Sequence, residues 1–568
     1  MAKASTVSAT DQDTFYMGLC MAGAVSAGAY TAGVMDYLLE ALAEWEKRRG
    51  QPGVPTHKVQ IPVMGGASAG GMTSVMAATS LNNPLPPIDK PSDDLLAEHP
   101  ENKLYHSWVD LTGVDMFSQM LDISDIKDGS VISGLNSTFI SPIATRVVSA
   151  DVAKWQPLPP FIRPGLKIFT TLTNLQGFHY IVPFNDQDPK NAQKYNMKVH
   201  NDYACFELTE VDIAGPNDGW MPLNLKTNVN TDVAANAAMA TGAFPVGLQS
   251  RILTRDSQYV NANPWLSGYL QQSPLPQGKY VTLNVDGGLI NNEPFEKVRD
   301  VLVTVTGETP DQYNNFSKFG STVLMIEPFP TTPPVPISIS QDLSNVISRT
   351  LASMLSQMRA KPLNISSAMD AACAGQYLIT PSRIVPGMNG AADTVLAGEM
   401  AMACGALSGF SGFMNKEFRV HDYFLGRYNC KIFLRDYFTL PAENVNDNPI
   451  FKNGYANADV SKFKSTKDGS VQIIPVFADA TDYTFPVFKF SSGSNWPVVQ
   501  ESDIDKFKDG LKARIQAILL NVSAFNWFTK SLLWVGAKVV LNGMLAGKII
   551  DTIKEDLQEW QLLPKDKS

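Results

Sequence analysis

The sequence has little charge and few cysteines, and each shortage excludes a class of protein. Of its 568 residues 18% are charged, and 46 basic against 55 acidic side chains leave a net charge of −9. A nucleic-acid-binding protein needs a basic surface to displace counterions from phosphates, so none is expected here. The cysteines form no CxxC pair, which argues against a disulfide framework or a zinc site. They are Cys20, Cys205, Cys373, Cys404 and Cys430.

Other features are also missing from the sequence. The first residues contain no apolar run behind a basic segment, so we expect no cleaved signal peptide and favour a cytoplasmic location. The sequence shows no self-similarity with a period of about 20–50 residues, so a solenoid is not expected. No carboxylate cluster indicates a calcium site, and we expect neither a metal nor another cofactor. What the chain does have is 44% hydrophobic residues, enough for a large buried core.

Two strand–loop–helix units open the chain. Phe15 to Met21 is an apolar run of strand length, and a helix is predicted after it with Ser26 as its N-cap. Val59 to Met64 and the small-residue turn Gly65 to Gly71 repeat the pattern. Pro62 is unusual for a central strand because it has no N–H to donate. Two such units in succession predict a mainly parallel α/β sheet.

Further elements are predicted along the chain. Residues 82–165 are expected to form an irregular insertion or lid. The other predicted strands are Lys167 to Thr173, Tyr203 to Leu208, Tyr280 to Val285 and, last in the sheet, Thr322 to Ile326. Helices are predicted at Val233 to Ala240, Leu343 to Met358, Thr394 to Phe418, Ile504 to Leu520 and Ser531 to Leu557. A proline cluster suggests a boundary near 335, between a core domain at 14–335 and a mainly helical region at 336–568 packed on or beside it.

The sharpest chemical signal is the sequence Gly66-Ala67-Ser68-Ala69-Gly70, a GxSxG pattern on a predicted strand-to-helix turn. Small neighbours let the backbone turn tightly enough to present the Ser68 hydroxyl as a nucleophile above the sheet. A five-letter pattern is also common by chance. On that alternative interpretation, Gly66 and Gly70 only let the strand and the helix pack closely.

A serine nucleophile needs a base and donors for the developing negative charge. The small-residue loop from Gly23 to Gly28 offers backbone donors at the same sheet edge, although such a loop is also typical of phosphate binding or close packing. It lacks the Gly-Lys-Ser/Thr ending of a Walker motif. Asp286 directly follows an apolar strand and precedes two glycines. Such an aspartate is often only a turn former, but together with Ser68 it is favoured as the base.

In combination these motifs resemble the patatin-like phospholipases, a family of lipid acyl hydrolases with a Ser/Asp dyad. The resemblance covers about residues 14–330. Gly23 to Tyr30 is similar to the family's glycine-rich oxyanion loop, and Asp286 to Gly288 matches its Asp-Gly-Gly motif. Between Ser68 and that motif, Ala240 to Pro245 is similar to the small-residue-Phe-Pro stretch that precedes the family's aspartate.

The resemblance implies a three-layer α/β core with a mainly parallel central sheet and a helical C-terminal extension. It also implies that Ser68 attacks the ester of a phospholipid or another acyl lipid and that Asp286 takes its proton. The oxyanion would be held by N–H groups of Gly23, Ala24 and Val25. No metal or other cofactor is implied.

The C-terminal stretch from His421 to Cys430 resembles one found in a large bacterial branch of the family. Two residues depart from the family pattern. Ala24 replaces a glycine, and Ala27 stands where plant-type members have an arginine. The backbone donors survive both changes, while the role of the arginine would be absent or taken elsewhere.

Two alternatives remain open. A Ser/His/Asp esterase also uses GxSxG, with His179, His200 and His421 as downstream candidates for its base. His421 is more typical of a structural residue. The second alternative is a catalytically weak or inactive binding module for lipid or protein with the same fold, which the changes at Ala24 and Ala27 would fit.

Peripheral membrane contact is the last expectation, through residues 525–550. This segment combines aromatic residues with three lysines and no acidic residue in an otherwise acidic chain. Lys538, Asn542 and Lys548 interrupt its apolar pattern, which argues against a spanning helix. An interfacial amphipathic helix and a buried helix fit the pattern equally well.

Overall fold

The structure is a computed structural model that describes residues 12–92, 94–110, 116–127, 129–183, 194–212, 217–271, 273–330, 346, 373–387, 392–477, 488–522 and 542–564. Within these residues one large sheet has nine strands. Numbered in chain order, they are β1 Thr14–Met21, β2 Lys58–Gly66, β3 Ile162–Pro183, β4 Lys194–Leu208, β5 Met221–Leu223, β6 Arg251–Asp256, β7 Lys279–Asp286, β8 Ser321–Ile326 and β9 Gln376–Ile379.

The sheet is mainly parallel, as the sequence predicted. Its main order is β5-β4-β3-β2-β1-β8-β9, and β7 pairs with both β3 and β6. Along this path the strands β3, β2, β1, β8 and β9 run parallel to one another, and β5 runs parallel to β4. The pairs β3–β4, β3–β7 and β6–β7 are antiparallel. Two small antiparallel pairs lie outside the sheet. They are β10 Ser382–Val385 with β11 Thr394–Ala397, and β12 Thr439–Leu440 with β13 Val471–Gln472.

Helices of very different length surround the sheet. In the described residues they are α1 Gly28–Arg48, α2 Ser68–Ser80, α3 Leu95–Glu98, α4 Lys103–Tyr105, α5 Met116–Met120, α6 Ile140–Val148, α7 Thr231–Thr241, α8 Ser257–Asn261, α9 Ser267–Leu270, α10 Phe295–Thr306, α11 Pro310–Tyr313, α12 Lys416–Asp436, α13 Pro449–Gly454, α14 Glu501–Asp505, α15 Lys508–Val522 and α16 Asn542–Glu559. The insertion at 82–165 contains only short helices, of which α6 is the longest among its described residues.

Both faces of the sheet are buried, which gives the three layers. Side chains of a strand alternate between faces, so every residue of β1 is buried. Met17 joins an apolar cluster with Leu38 of α1, whereas Cys20 joins a second cluster with Val298 of α10. Gly18 lets α10 approach, because a Cβ there would lie 2.5 Å from a methyl group of Val298. The apolar run that predicted the strand is therefore the sign of a central strand covered twice.

The C-terminal region packs directly on this core. Helices α1 and α12 cross at two glycines, since a Cβ on Gly33 would lie 1.9 Å from the Tyr423 carbonyl oxygen and one on Gly426 would lie 2.2 Å from that of Tyr30. Beside the crossing, the buried Arg427 forms ion pairs with Asp36 and Glu40 of α1. The stretch from His421 to Cys430 is thus the surface by which α12 docks on α1.

Several predicted elements are confirmed. The strands predicted at Phe15 and Val59 are β1 and β2, and the helices predicted at Val233 and Ile504 fall in α7 and in α14 with α15. Pro62 does lie within β2, at a position where the pairing register with both neighbouring strands shifts. Its missing N–H therefore falls in a gap of the ladders.

Three predictions are wrong. The segment from Thr394 to Phe418 is not one helix but β11, four short 3₁₀ turns and the start of α12, because Leu407, Ser408 and two glycines have positive φ. Ser26 is not an N-cap, since it lies in a 3₁₀ turn and its hydroxyl bonds to residues 409 and 412. The strand from Thr322 is not the last, because β9 extends the sheet.

Other predictions fall on residues outside the described ranges. They are the helix at Leu343 to Met358, the first part of the one at Ser531 to Leu557, and most of the segment 525–550. The boundary near 335 also falls there and stays a prediction. The described helices include none that is long and apolar enough to cross a membrane.

Candidate active site

Ser68 lies at a sharp turn between β2 and α2. Its φ is +48°, in the left-handed region that costs an L-residue about 1–2 kcal/mol. The turn is possible because Gly66 and Gly70 pass close to β1, where a Cβ would lie 2.4 Å and 2.1 Å from the Met21 carbonyl oxygen. The two glycines therefore let the backbone present Ser68, whose side chain is 8% exposed, above the carboxyl end of β2.

Asp286 is delivered to the same edge by the last residue of β7. The Ser68 hydroxyl donates a hydrogen bond of 2.7 Å from Oγ to Asp286 Oδ2. The other carboxylate oxygen accepts the Gly288 N–H at 2.7 Å. The Asp286 carbonyl accepts from the Thr173 hydroxyl at 2.8 Å, and its N–H donates to the Ala243 carbonyl at 3.0 Å. The strand end and its neighbours thus fix the carboxylate beside the serine.

The small-residue loop from Gly23 to Val25 passes beside Ser68. A Cβ on Gly23 would lie 2.9 Å from the Ser68 Cβ, so only glycine allows this approach. Val25 has a positive φ of +49°. No described group accepts a hydrogen bond from the N–H of Gly23, Ala24 or Val25. The described residues thus leave these three N–H groups without a hydrogen-bond acceptor.

Ser68 and Asp286 open into a cavity of about 370 Å³. Its wall is mostly apolar and is built from the predicted core, from the insertion at 82–165 and from the C-terminal region. The contributing side chains include Met72, Met76, Trp108, Met116, Ile143, Val147, Met239, Phe244, Leu407 and Phe410. A long apolar group attached to a carbonyl carbon at Ser68 would find a matching surface here.

Three contacts at Ser68 and in the neighbouring loop involve residues that the sequence did not predict as site residues. Thr241, at the end of α7, accepts the Ser68 N–H at 2.9 Å through its hydroxyl. Asn292 lies against the loop, because a Cβ on Gly23 would be 2.3 Å from its Oδ1. Ser26 bonds to the backbone of Gly409 and Gly412. Thr241 stands within the stretch similar to the family's small-residue-Phe-Pro motif, which was the available signal.

The histidines take no part in this site. None of the six lines the cavity that contains Ser68. His421 is fully buried, Nδ1 lies 2.7 Å from Asp422 Oδ1, and burial lowers its pKa. His200 bonds through Nδ1 to the Asn174 carbonyl at 2.7 Å. The Ser/His/Asp alternative therefore has no histidine beside Ser68 to act as its base.

In the described part of the chain, no group of three or more His, Cys, Asp or Glu side chains is arranged to hold a metal ion. Four of the five cysteines are buried, none of the five forms a disulfide, and burial raises the pKa of the Cys404 thiol.

A serine at such a turn, hydrogen-bonded to an aspartate at the edge of a three-layer α/β sheet, is an arrangement found among serine hydrolases. Comparison with known proteins gives the family. Residues 19–299 match the family of patatin-like phospholipases. The chain is also 30% identical to the uncharacterized protein y4iI of Sinorhizobium fredii, over 89% of this chain and 76% of that protein. The chain belongs to the patatin-like phospholipase family.

Proposed function

We propose that this protein is a lipid acyl hydrolase of phospholipase A or lysophospholipase type, with Ser68 as nucleophile and Asp286 as base. The observation that carries the proposal is the 2.7 Å hydrogen bond between the two side chains at the mouth of an apolar cavity. Membership of the patatin-like phospholipase family supports lipid esters as the substrate class.

The chemistry proceeds in two half-reactions. As Ser68 Oγ attacks the ester carbonyl carbon, its proton passes to Asp286, and the carbonyl oxygen becomes an oxyanion. The free N–H groups of Gly23, Ala24 and Val25 stabilise that charge. Collapse of the intermediate releases the alcohol, which takes the proton from Asp286. Water then attacks the acyl-enzyme, gives a proton to Asp286, and the fatty acid leaves as Ser68 regains it.

The acyl chain occupies the apolar wall of the cavity. Ser68, Met72 and Met76 follow one another at four-residue spacing and so lie on the same face of α2. Met72 and Met76 line the cavity, and so do Ile143 and Val147 of α6. Burying an acyl chain against such side chains contributes about 0.8 kcal/mol per CH₂ group. Binding energy from the chain therefore holds the ester at the serine.

We also propose that the protein contacts membranes peripherally through residues 525–550, where its substrate would lie. The described end of this segment belongs to α16, in which Ala546 and Ile550 are buried. Leu545 and Ile549 are 40% and 38% exposed and stand one turn apart. An apolar strip beside Lys548 suits a lipid surface with anionic headgroups.

The test measures fatty-acid release from phospholipid vesicles and from a short-chain nitrophenyl ester, with a chelator present. We expect the wild type to turn over these substrates. Ser68→Ala and Asp286→Asn should each reduce turnover at least about 1000-fold, because removing either member of a catalytic unit removes most of its rate enhancement. Ser80→Ala is the matched control, because Ser80 is also a buried serine of α2 and its hydroxyl donates to the Met76 carbonyl within the helix.

Each outcome decides between the interpretations. Full turnover by Asp286→Asn, with its fold retained in circular dichroism, would contradict the dyad. Absence of turnover by wild type on every ester, together with vesicle binding, would favour the inactive binding module instead.

A further inference from the structure

Among the described residues that line the Ser68 cavity, Arg251 has the only cationic side chain, and Asp286 is the only other charged residue. Arg251 begins β6, directly opposite Asn284 in the antiparallel pair with β7. Asn284 and Asp286 are two residues apart in β7 and therefore lie on the same face of the sheet. Arg251 is then a diagonal cross-strand neighbour of Asp286, with roughly 7–8 Å between the two Cα atoms. The Arg251 side chain therefore extends from the same face of the sheet as the side chain of Asp286, the candidate base.

This guanidinium has donors to spare. Of its five N–H groups, the described partners take two, with the Ser141 hydroxyl at 3.1 Å and the Ser137 carbonyl at 3.5 Å. No described carboxylate is paired with it, and burial lowers its pKa. Of the buried arginines, Arg255, Arg427 and Arg514 each form an ion pair with an aspartate, whereas Arg299 and Arg419 bond to hydroxyl and carbonyl oxygens, as Arg251 does. Arg251 is thus a partly desolvated cation. An anion that binds to it would offset the free-energy cost of that desolvation.

The surroundings of Arg251 form the polar end of the cavity. Ser137 and Gln249 line it as well, and the Gln249 N–H donates to the Ser137 hydroxyl at 3.2 Å. The residues that α6 contributes to the cavity, and those of α2 beyond Ser68, are apolar. A substrate with its ester at Ser68 and its acyl chain against these residues would find in Arg251 a cationic contact for its remaining group.

We propose that Arg251 binds the phosphate of an acyl-lipid substrate and makes the site prefer phosphate-bearing esters to neutral acylglycerols. The inference rests on the proposed function of Ser68. A guanidinium suits this task because its planar fork donates two parallel hydrogen bonds to phosphate oxygens. The subsite lies inside the cavity wall, so the preference belongs to the site itself and not to attraction at a lipid surface.

The first experiment compares a lysophosphatidic acid with a monoacylglycerol of the same acyl chain, both in micelles of a neutral detergent. The ratio of their kcat/KM values should fall about 10- to 100-fold in Arg251→Gln and recover in part in Arg251→Lys. Arg146→Gln is the control, because Arg146 is an exposed arginine of α6 and its loss changes the net charge equally. An unchanged ratio, or equal losses on both substrates, would overturn the proposal.

A second experiment does not depend on turnover. In the Ser68→Ala background, calorimetry follows the binding of dodecyl phosphate, of a neutral dodecyl glyceryl ether and of inorganic phosphate. We expect Arg251→Gln to lower the affinity for dodecyl phosphate about 10-fold or more relative to the affinity for the ether. Inorganic phosphate binding as tightly as dodecyl phosphate would indicate a free-anion site and overturn the lipid assignment. Binding of dodecyl phosphate that depends on Arg251, without ester cleavage by wild type, would refute only the proposed function.

Discussion

The hydrogen bond from the Ser68 N–H to Thr241 offers the most direct test of how the elbow is held. Both residues are buried, with Thr241 fully so, and the N···O distance is 2.9 Å. Thr241→Val replaces the acceptor with a methyl group of the same shape. The change leaves a buried N–H without an acceptor, which costs about 1–3 kcal/mol.

That cost applies to a residue that is already strained. Ser68 has φ +48°, which alone costs about 1–2 kcal/mol, so the hydrogen bond is comparable in size to the strain it opposes. Without it, conformations that move Oγ away from Asp286 become competitive. We expect kcat for a soluble ester to fall about 5- to 150-fold, which corresponds to 1–3 kcal/mol. KM should change little, because Thr241 is not among the residues that line the cavity.

The assays are urea unfolding and steady-state kinetics on the same variants. Thr241→Ser is the matched control, since it keeps the acceptor and removes only the methyl group that faces Gly71. Its loss of stability should stay near 1 kcal/mol, with kcat within about threefold of wild type. If Thr241→Val matches wild type in both its urea midpoint and its kcat, the hydrogen bond does not hold the elbow, and the reasoning is wrong.

Three further predictions concern other parts of the molecule. Burial lowers the pKa of His57 from 6.5 to about 4, so the unfolded chain binds the proton more tightly. The contribution of His57 to the free energy of unfolding is fully present above pH 6.5 and is lost toward pH 4, with a loss of about 2 kcal/mol at pH 5. The urea midpoints of His57→Phe should lack this part of the pH dependence. Gly426→Ala should destabilise the protein by about 1–3 kcal/mol or more in urea unfolding, because its Cβ would meet the Tyr30 carbonyl. Gly547→Ala in α16, where a Cβ meets nothing within 4 Å, should not be destabilising. Leu545→Gln with Ile549→Gln should reduce sedimentation with anionic vesicles, unlike Val395→Gln at another exposed apolar position; equal binding by all three proteins would exclude α16 as the contact.

The strands that carry the candidate site residues could be predicted because their signals are local. β1 and β2 are continuous apolar runs, as expected of strands covered on both faces, and each is followed by small residues. Asp286 follows a strand directly, and the sequence predicted that a parallel strand would bring its carboxylate to the edge of the Ser68 turn. The direction predicted for this strand was wrong, because β7 is antiparallel to both β3 and β6. The structure nevertheless places Asp286 beside Ser68, through a strand that branches from the main strand order.

The segment from Thr394 to Phe418 shows why other parts could not be predicted. It is rich in Ala, Met, Leu and Gly, and its apolar spacing fits a helix. Gly398 and Gly409 adopt positive φ, however, and so do Leu407 and Ser408. What stabilises these conformations is distant in sequence, because Asp556 of α16 accepts the Leu407 N–H at 2.6 Å. No local pattern reports such a tertiary contact.

That segment also connects the C-terminal region to the chemistry. The match to the family ends at residue 299, yet Leu407 and Phe410 line the cavity that contains Ser68. Ser26, next to the strained Val25, bonds to the Gly409 carbonyl and accepts the Gly412 N–H. The loop that we propose as the oxyanion hole is therefore braced from residues far beyond the family match. Because Asp556 in turn fixes Leu407, the geometry around Ser68 depends on packing that extends to α16. The minimal unit with an intact site is therefore larger than residues 19–299, which match the family.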